Sequence, residues 1–243
     1  MSGHSKWKNI MHKKEKTDSQ RAKIFTKIGR EITMAVKEGG ADPASNSRLK
    51  DVIAKAKASN VPNDNIDRVI KKAAGSAENS NYEEITYEGY GPGGVAVIVG
   101  ALTDNRNRTA ADVRHYFDKY GGNLGQSGSV AWMFSQKGVI AIEKAGTNAE
   151  KLMEDCINAG AEDFSDDEEV FEVFTESTNL SLVRTELEGM GYTFLSAQNE
   201  MIPSNYTLLS SEEQVKNMNK LLELLDDNDD VQNIWHNCEN MLG

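Results

Sequence analysis

Residues 83–102 read EEITYEGYGPGGVAVIVGAL, and this stretch decides the fold class. Glu83 to Glu88 alternates apolar and polar residues, Gly91-Pro92-Gly93-Gly94 supplies a turn, and Val95 to Leu102 is an apolar run of strand length. Two such segments flanking a Gly/Pro turn predict a β-hairpin. Upstream of it the apolar residues recur at helical spacing, and downstream strand patterns alternate with helical ones. The chain therefore reads as α+β, a helical domain followed by sheet-containing ones.

Upstream, Ile24, Ile28, Ile32 and Ala35 form the stripe of a helix from Ser19 to Lys37 that Gly39-Gly40 stops. At 100° per residue, Lys23, Lys27, Arg30 and Lys37 fall opposite that stripe, which predicts an exposed basic face. Asp42-Pro43 offers an N-cap and first turn for a second helix that buries Leu49, Val52, Ile53 and Ala56, with Arg48, Lys50, Lys55 and Lys57 among its polar residues. A third helix from about Asn63 buries Ile66, Val69, Ile70 and Ala73 and exposes Arg68, Lys71 and Lys72. Residues 75–81 are small, polar and without period, and mark a linker.

Downstream, a helix is expected from about Thr109 to Tyr120, then a glycine-rich loop and strands at Val130–Phe134 and Val139–Glu143. Helices near Ala149–Asn158 and Thr178–Met190 bracket strands around Ala161–Phe164 and Val170–Phe174. With Thr193–Ala197 pairing last, this is the βαββαβ order of a ferredoxin-like module. The tail adds a strand near Tyr206, a helix from Ser211 to Leu225 and a strand from Val231 to Asn237, which complete the sheet begun at Glu83.

The net charge of −11 conceals an asymmetry: residues 1–77 hold 17 Lys+Arg against 8 Asp+Glu, and the remainder 10 against 30. A domain of net +9 beside modules of net −20 is the pattern of a polarised binding protein, because exposed charges beyond about 10 Å are screened at 0.1 M salt. Lys6, Lys8, Lys13, Lys14 and Lys16 surround Trp7 in an N-terminal arm without hydrophobic period, and His12 lies among them. Lysines to neutralise phosphate and an indole to stack on bases suit nucleic acid. The same composition also suits a solvated tail. Thr103 to Thr109, with Arg106 and Arg108, lies between a strand and a helix, where it can hold a phosphate or simply cap the helix and pair with local carboxylates.

No catalytic constellation emerges. The glycine loops lack the lysine or strand context of a nucleotide site, and Gly125-Gln126-Ser127-Gly128-Ser129 has its glycine one position too early for a nucleophile elbow. Asp226, Asn228 and Asp230 open like a calcium loop, but Val231 and Asn237 stand where glycine and glutamate are required. Cys156 and Cys238 show no ligand spacing and read as packing residues, and the four histidines form no ligand set. No cofactor, metal, small-molecule substrate or membrane association is expected, and the absence of a signal or spanning segment points to the cytoplasm.

The opening Gly3-His4-Ser5-Lys6-Trp7, with Asn9-Ile10, His12-Lys13, Tyr87 to Gly94, Thr103 to Thr109, Gly128 to Phe134 and Asp229 to Asn233, closely resembles the YebC/PmpR family of probable transcriptional regulators. The likeness spans the whole chain; Met11 and Gln20 depart from it, standing where relatives often carry basic residues. It implies three domains, with the ferredoxin-like one inserted into the other α/β domain: 1–77, 82–135 plus 202–243, and 136–201. It also implies DNA-binding regulation of transcription, or RNA- and ribosome-directed activation of translation, as in a mitochondrial relative. The residues expected to touch nucleic acid are Lys6, Trp7, Lys8, His12, Lys13, Lys14, Lys23, Lys27, Arg30, Arg106 and Arg108. They carry no base-reading code, since phosphate contacts position a protein without specifying sequence. A protein-binding adaptor, for which the positive face is incidental, is the third reading.

Overall fold

The computed structural model describes residues 18–75, 81–167 and 170–240. Lys6, Trp7, Lys8, His12, Lys13 and Lys14, most of the expected linker, and Glu168-Glu169 lie outside the described residues.

Three helices open the described chain: α1 (Asp18–Gly39), α2 (Ser47–Ala58) and α3 (Asn63–Gly75). Ile28, Ile32, Ala35 and Val36 of α1 bury against Leu49, Val52, Ala56, Ile66 and Ala73, so the expected stripes do meet in one core. Asn46, and not Asp42, caps α2. Its side chain accepts from Leu49 N at 3.0 Å while donating to Ala35 O and Gly40 O at 2.8 Å each, tying the end of α1 to the start of α2. Asp42 is left to organise the preceding turn by accepting from Ala44 N.

The hairpin forms as expected, from β1 (Glu83–Tyr90) and β2 (Ala96–Thr103) in antiparallel register, Glu83 opposite Thr103 and Tyr90 opposite Ala96. After it come α4 (Arg106–Lys119), the two-residue strand β3 (Asn123–Leu124), β4 (Phe134–Glu143), α5 (Ala149–Ala159), β5 (Asp163–Asp166), β6 (Val170–Glu176), α6 (Leu180–Gly189), β7 (Ser196–Pro203), α7 (Glu212–Asp227) and β8 (Val231–His236). One sheet has the order β3-β1-β2-β8 and the other β5-β6-β4-β7. The second is the ferredoxin-like order, antiparallel throughout, with α5 and α6 packed over Ile140, Ile142, Phe171 and Val173. β8 returns from the far end of the sequence to flank β2. Central β2 is buried on both faces: Val95, Val97 and Val99 line up with α4 and α7, and Ala96 and Ile98 with Val130, Phe134 and Trp235. That is why it reads as a continuous apolar run and not as an alternating one.

Several expected strands differ. Val130–Phe134 is not a strand: residues 131–133 form a 3-10 turn, and β4 runs unbroken from Phe134 to Glu143. The reason is Glu88, a buried carboxylate that accepts from the N–H groups of Gly128, Val130 and Ala131 at 2.7, 2.9 and 2.8 Å, removing those donors from any ladder. The strand near Tyr206 reduces to one parallel bridge between Thr207 and Cys238, and the last strand of the ferredoxin-like sheet begins at Ser196. β3 had no sequence signal. It exists because Gly89 lets the loop backbone close over β1: a Cβ there would lie 2.6 Å from Asn123 O and 2.8 Å from Phe117 Cε1. Gly89→Ala is expected to cost about 1–3 kcal/mol through overpacking, measurable as a lower midpoint in urea at an unchanged slope.

Both cysteines are buried, as their packing reading requires, and burial pushes the Cys156 thiol up to about 11.

Candidate nucleic-acid interface

α1 was expected to turn Lys23, Lys27 and Arg30 to solvent. It turns them onto the end of α7. Lys23 Nζ lies 2.7 Å from Asp227 Oδ1; Lys27 Nζ donates to Asp226 O at 2.6 Å and lies 3.4 Å from Asp226 Oδ1; Arg30 donates to Asp229 O at 2.8 Å and to Asp230 Oδ1 at 2.5 Å. The Lys27 side chain is only 12% exposed. These partners are 199 to 204 residues apart in sequence.

The chemistry of α7 explains the docking. Asp226 and Asp227 close the helix, where its macrodipole already concentrates negative charge and no basic side chain occupies the last turn. Cations from α1 neutralise that end and satisfy its free carbonyls. Burial is the largest influence on Lys27 and lowers its pKa, although Asp226 opposes the shift; the hydrogen bond to Asp227 raises that of Lys23.

Asp230 is the hub. Its Oδ1 receives Arg30, and its Oδ2 receives Arg108 at 2.8 Å, Thr109 Oγ1 at 2.7 Å and Thr103 Oγ1 at 3.2 Å. Burial works against its charge, but the donors from Arg108, Thr109 and Arg30 prevail and hold the carboxyl below its ordinary value. Of the two readings of Thr103 to Thr109, the geometry displays the cap: Asn105 Oδ1 accepts from Arg108 N, Arg108 also pairs with Asp104, and Arg106 lies 3.8 Å from Glu83. A cleft of about 310 Å³ opens over this seam. Asp104, Asp112, Asp227, Asp229 and Asp230 outnumber Arg30 and Arg108 in its lining, which disfavours a further anion. Asn228 and Asp230 form a turn, with Asp230 N donating to Asn228 Oδ1 at 2.9 Å.

Two more arginines tie the helical domain down. Arg48 bridges Glu38 and Glu84, and the buried Arg184 of α6 lies 2.8 Å from Asp51 of α2. The helical periodicity of α1 does not disclose this seam; acidic residues at the C-terminal end of α7 are the available signal. On the other faces of the helical domain, Lys50 and Lys57 of α2 and Arg68, Lys71 and Lys72 of α3 are exposed.

The profile of the TACO1/YebC N-terminal domain matches residues 5–76, and that of the TACO1/YebC second and third domains matches residues 82–238. The chain belongs to the TACO1/YebC family. Among its relatives, a "Probable transcriptional regulatory protein" of Acetivibrio thermocellus is 59% identical over 238 residues, covering 98% of each chain. One of the same name from Ruminiclostridium cellulolyticum is 60% identical over 240 residues, covering 98% of this chain and 97% of the other. The crystal structure of a conserved hypothetical protein from Aquifex aeolicus superposes with a TM-score of 0.87 at 46% identity, covering 97% of both chains. This TACO1/YebC chain has, among the described residues, no helix long and apolar enough to cross a membrane and no group of three or more His, Cys, Asp or Glu placed to hold a metal ion.

Proposed function

We propose that this chain is a DNA-binding transcriptional regulator that grips the phosphate backbone through its helical domain. The observation that carries the reading is the exposed set Lys50, Lys57, Arg68, Lys71 and Lys72 on α2 and α3, in a segment of net +9 within a chain of net −11. The regulatory name of the relatives agrees with it. In this reading residues 1–77 are the gripping unit, with Lys6, Trp7, Lys8, His12, Lys13 and Lys14 extending the basic surface. No catalytic residue, cofactor or small-molecule substrate takes part.

The test compares the full chain with an Arg68→Ala/Lys71→Ala/Lys72→Ala variant for binding to duplex DNA, structured RNA and ribosomes across 50–200 mM salt. Loss of three phosphate contacts should weaken duplex binding by roughly tenfold or more and flatten the salt dependence by about three in log–log slope. Unchanged affinity would refute the placement on α3. Preference of the full chain for structured RNA or ribosomes over duplex would replace transcription by translation as the process served.

A further inference from the structure

Lys23, Lys27 and Arg30 form a continuous basic row on α1, yet what they touch is a run of carboxylates and carbonyls at Asp226 to Asp230. Four carboxylates within five residues gather negative charge beside this basic row, as a phosphate backbone would. We infer that the end of α7 occupies a latent phosphate-binding face of α1, so that nucleic acid and the Asp226–Asp230 segment compete for the same cations. This rests on the nucleic-acid reading and adds a regulated second surface to it.

The geometry allows opening. The Lys23–Asp227 pair has side chains 36% and 63% exposed, and Asp226 is 60% exposed. Such surface pairs contribute little and weaken with salt. Lys27 is the more enclosed member, 12% exposed, and burial lowers its pKa in spite of the nearby carboxylate. Asp230 is not orphaned by departure of α1: only its Oδ1 serves Arg30, while Arg108, Thr109 and Thr103 retain Oδ2. The seam thus divides between Asp230, held within the α/β domain as well as by Arg30, and Asp226 and Asp227, which reach across to lysines of α1.

The test measures fluorescence anisotropy of a random-sequence 20-base-pair duplex with the full chain and with Asp226→Asn/Asp227→Asn. The variant should bind about tenfold more tightly, with a log–log salt slope steeper by about two as two lysines are released. A control, Glu212→Gln/Glu213→Gln in the first turn of the same helix, changes net charge equally and leaves the seam intact; it should show no such gain. Adding Lys23→Ala/Lys27→Ala to the first variant should abolish the gain. Asp227→Asn alone, with a smaller expected gain, serves if the double variant does not fold as judged by circular dichroism. Equal gain in the control, gain that survives loss of the lysines, or no gain while the unmodified chain binds would each overturn the competition and leave the proposed function standing. Absence of duplex binding by every form would overturn both.

Discussion

Asp230→Ala should lower the stability of the chain by about 3 kcal/mol, seen as a fall in melting temperature of roughly 6–12 °C for a protein of this size. The magnitude follows from what the substitution leaves behind. Arg108, Thr109, Thr103 and Arg30 all converge on this one buried carboxylate, and alanine strips the acceptor from two guanidinium groups and two hydroxyls together. Full orphaning of a buried ion pair costs more, but the Arg108 side chain is 46% exposed and recovers water. Asp230→Asn keeps the shape and one acceptor oxygen, and should fall between the parent and the alanine variant. The same site sets an acid limit. Because the folded pKa of Asp230 is depressed, its contribution is complete above the unfolded value of about 4 and is lost as pH falls through the folded one. Urea unfolding between pH 7 and pH 2 should show a smaller acid loss in Asp230→Ala than in the parent, the remainder belonging to other depressed carboxylates such as Glu88; equal losses in both would take Asp230 out of the acid response.

Glu88→Gln is the second large expected effect, at about 3 kcal/mol, the upper range for disrupting buried hydrogen bonds to a charged group. The carboxylate gives two oxygens to three backbone N–H donors, whereas an amide has one oxygen and must aim an NH2 group at a donor. Burial disfavours the charge of Glu88, but the three backbone donors outweigh it and depress its pKa, so the loss again lies in the charge-assisted bonds. The effect is local as well as global. Amide hydrogen exchange at Gly128, Val130 and Ala131 should accelerate before that of β2, and the 3-10 turn that presents Trp132, 72% exposed, should loosen with it. Unchanged protection at those three amides would remove Glu88 from its assigned role.

What the sequence disclosed and what it withheld separate along a physical line. The hairpin, the ferredoxin-like order and the three helical stripes rest on periodicity and turn chemistry within short windows, and β2 and α3 appear where those windows put them. Val130–Phe134 misleads because its first two residues, Val130 and Ala131, surrender their N–H groups to Glu88, 42 and 43 residues away in sequence. The face of α1 was found correctly as a basic face, but its surroundings were not. Helical geometry says which residues share a side and nothing of what lies opposite, and here the opposite wall is supplied 200 residues later. The clue was chemical: carboxylates at the C-terminal end of α7 contradict the dipole unless something positive arrives from elsewhere.

The return of β8 to the flank of β2 also orders events while the protein is being made. As the chain leaves the ribosome, the ferredoxin-like module has all its strands by Pro203, whereas β2 must wait for Val231–His236 to cover its open side. During that interval an apolar strand presents unpaired backbone groups, and the aspartates that will hold α1 have not yet been synthesised. The helical domain therefore keeps its positive side uncovered until Asp226–Asp230, about 200 residues further along, has been made and has folded back against it.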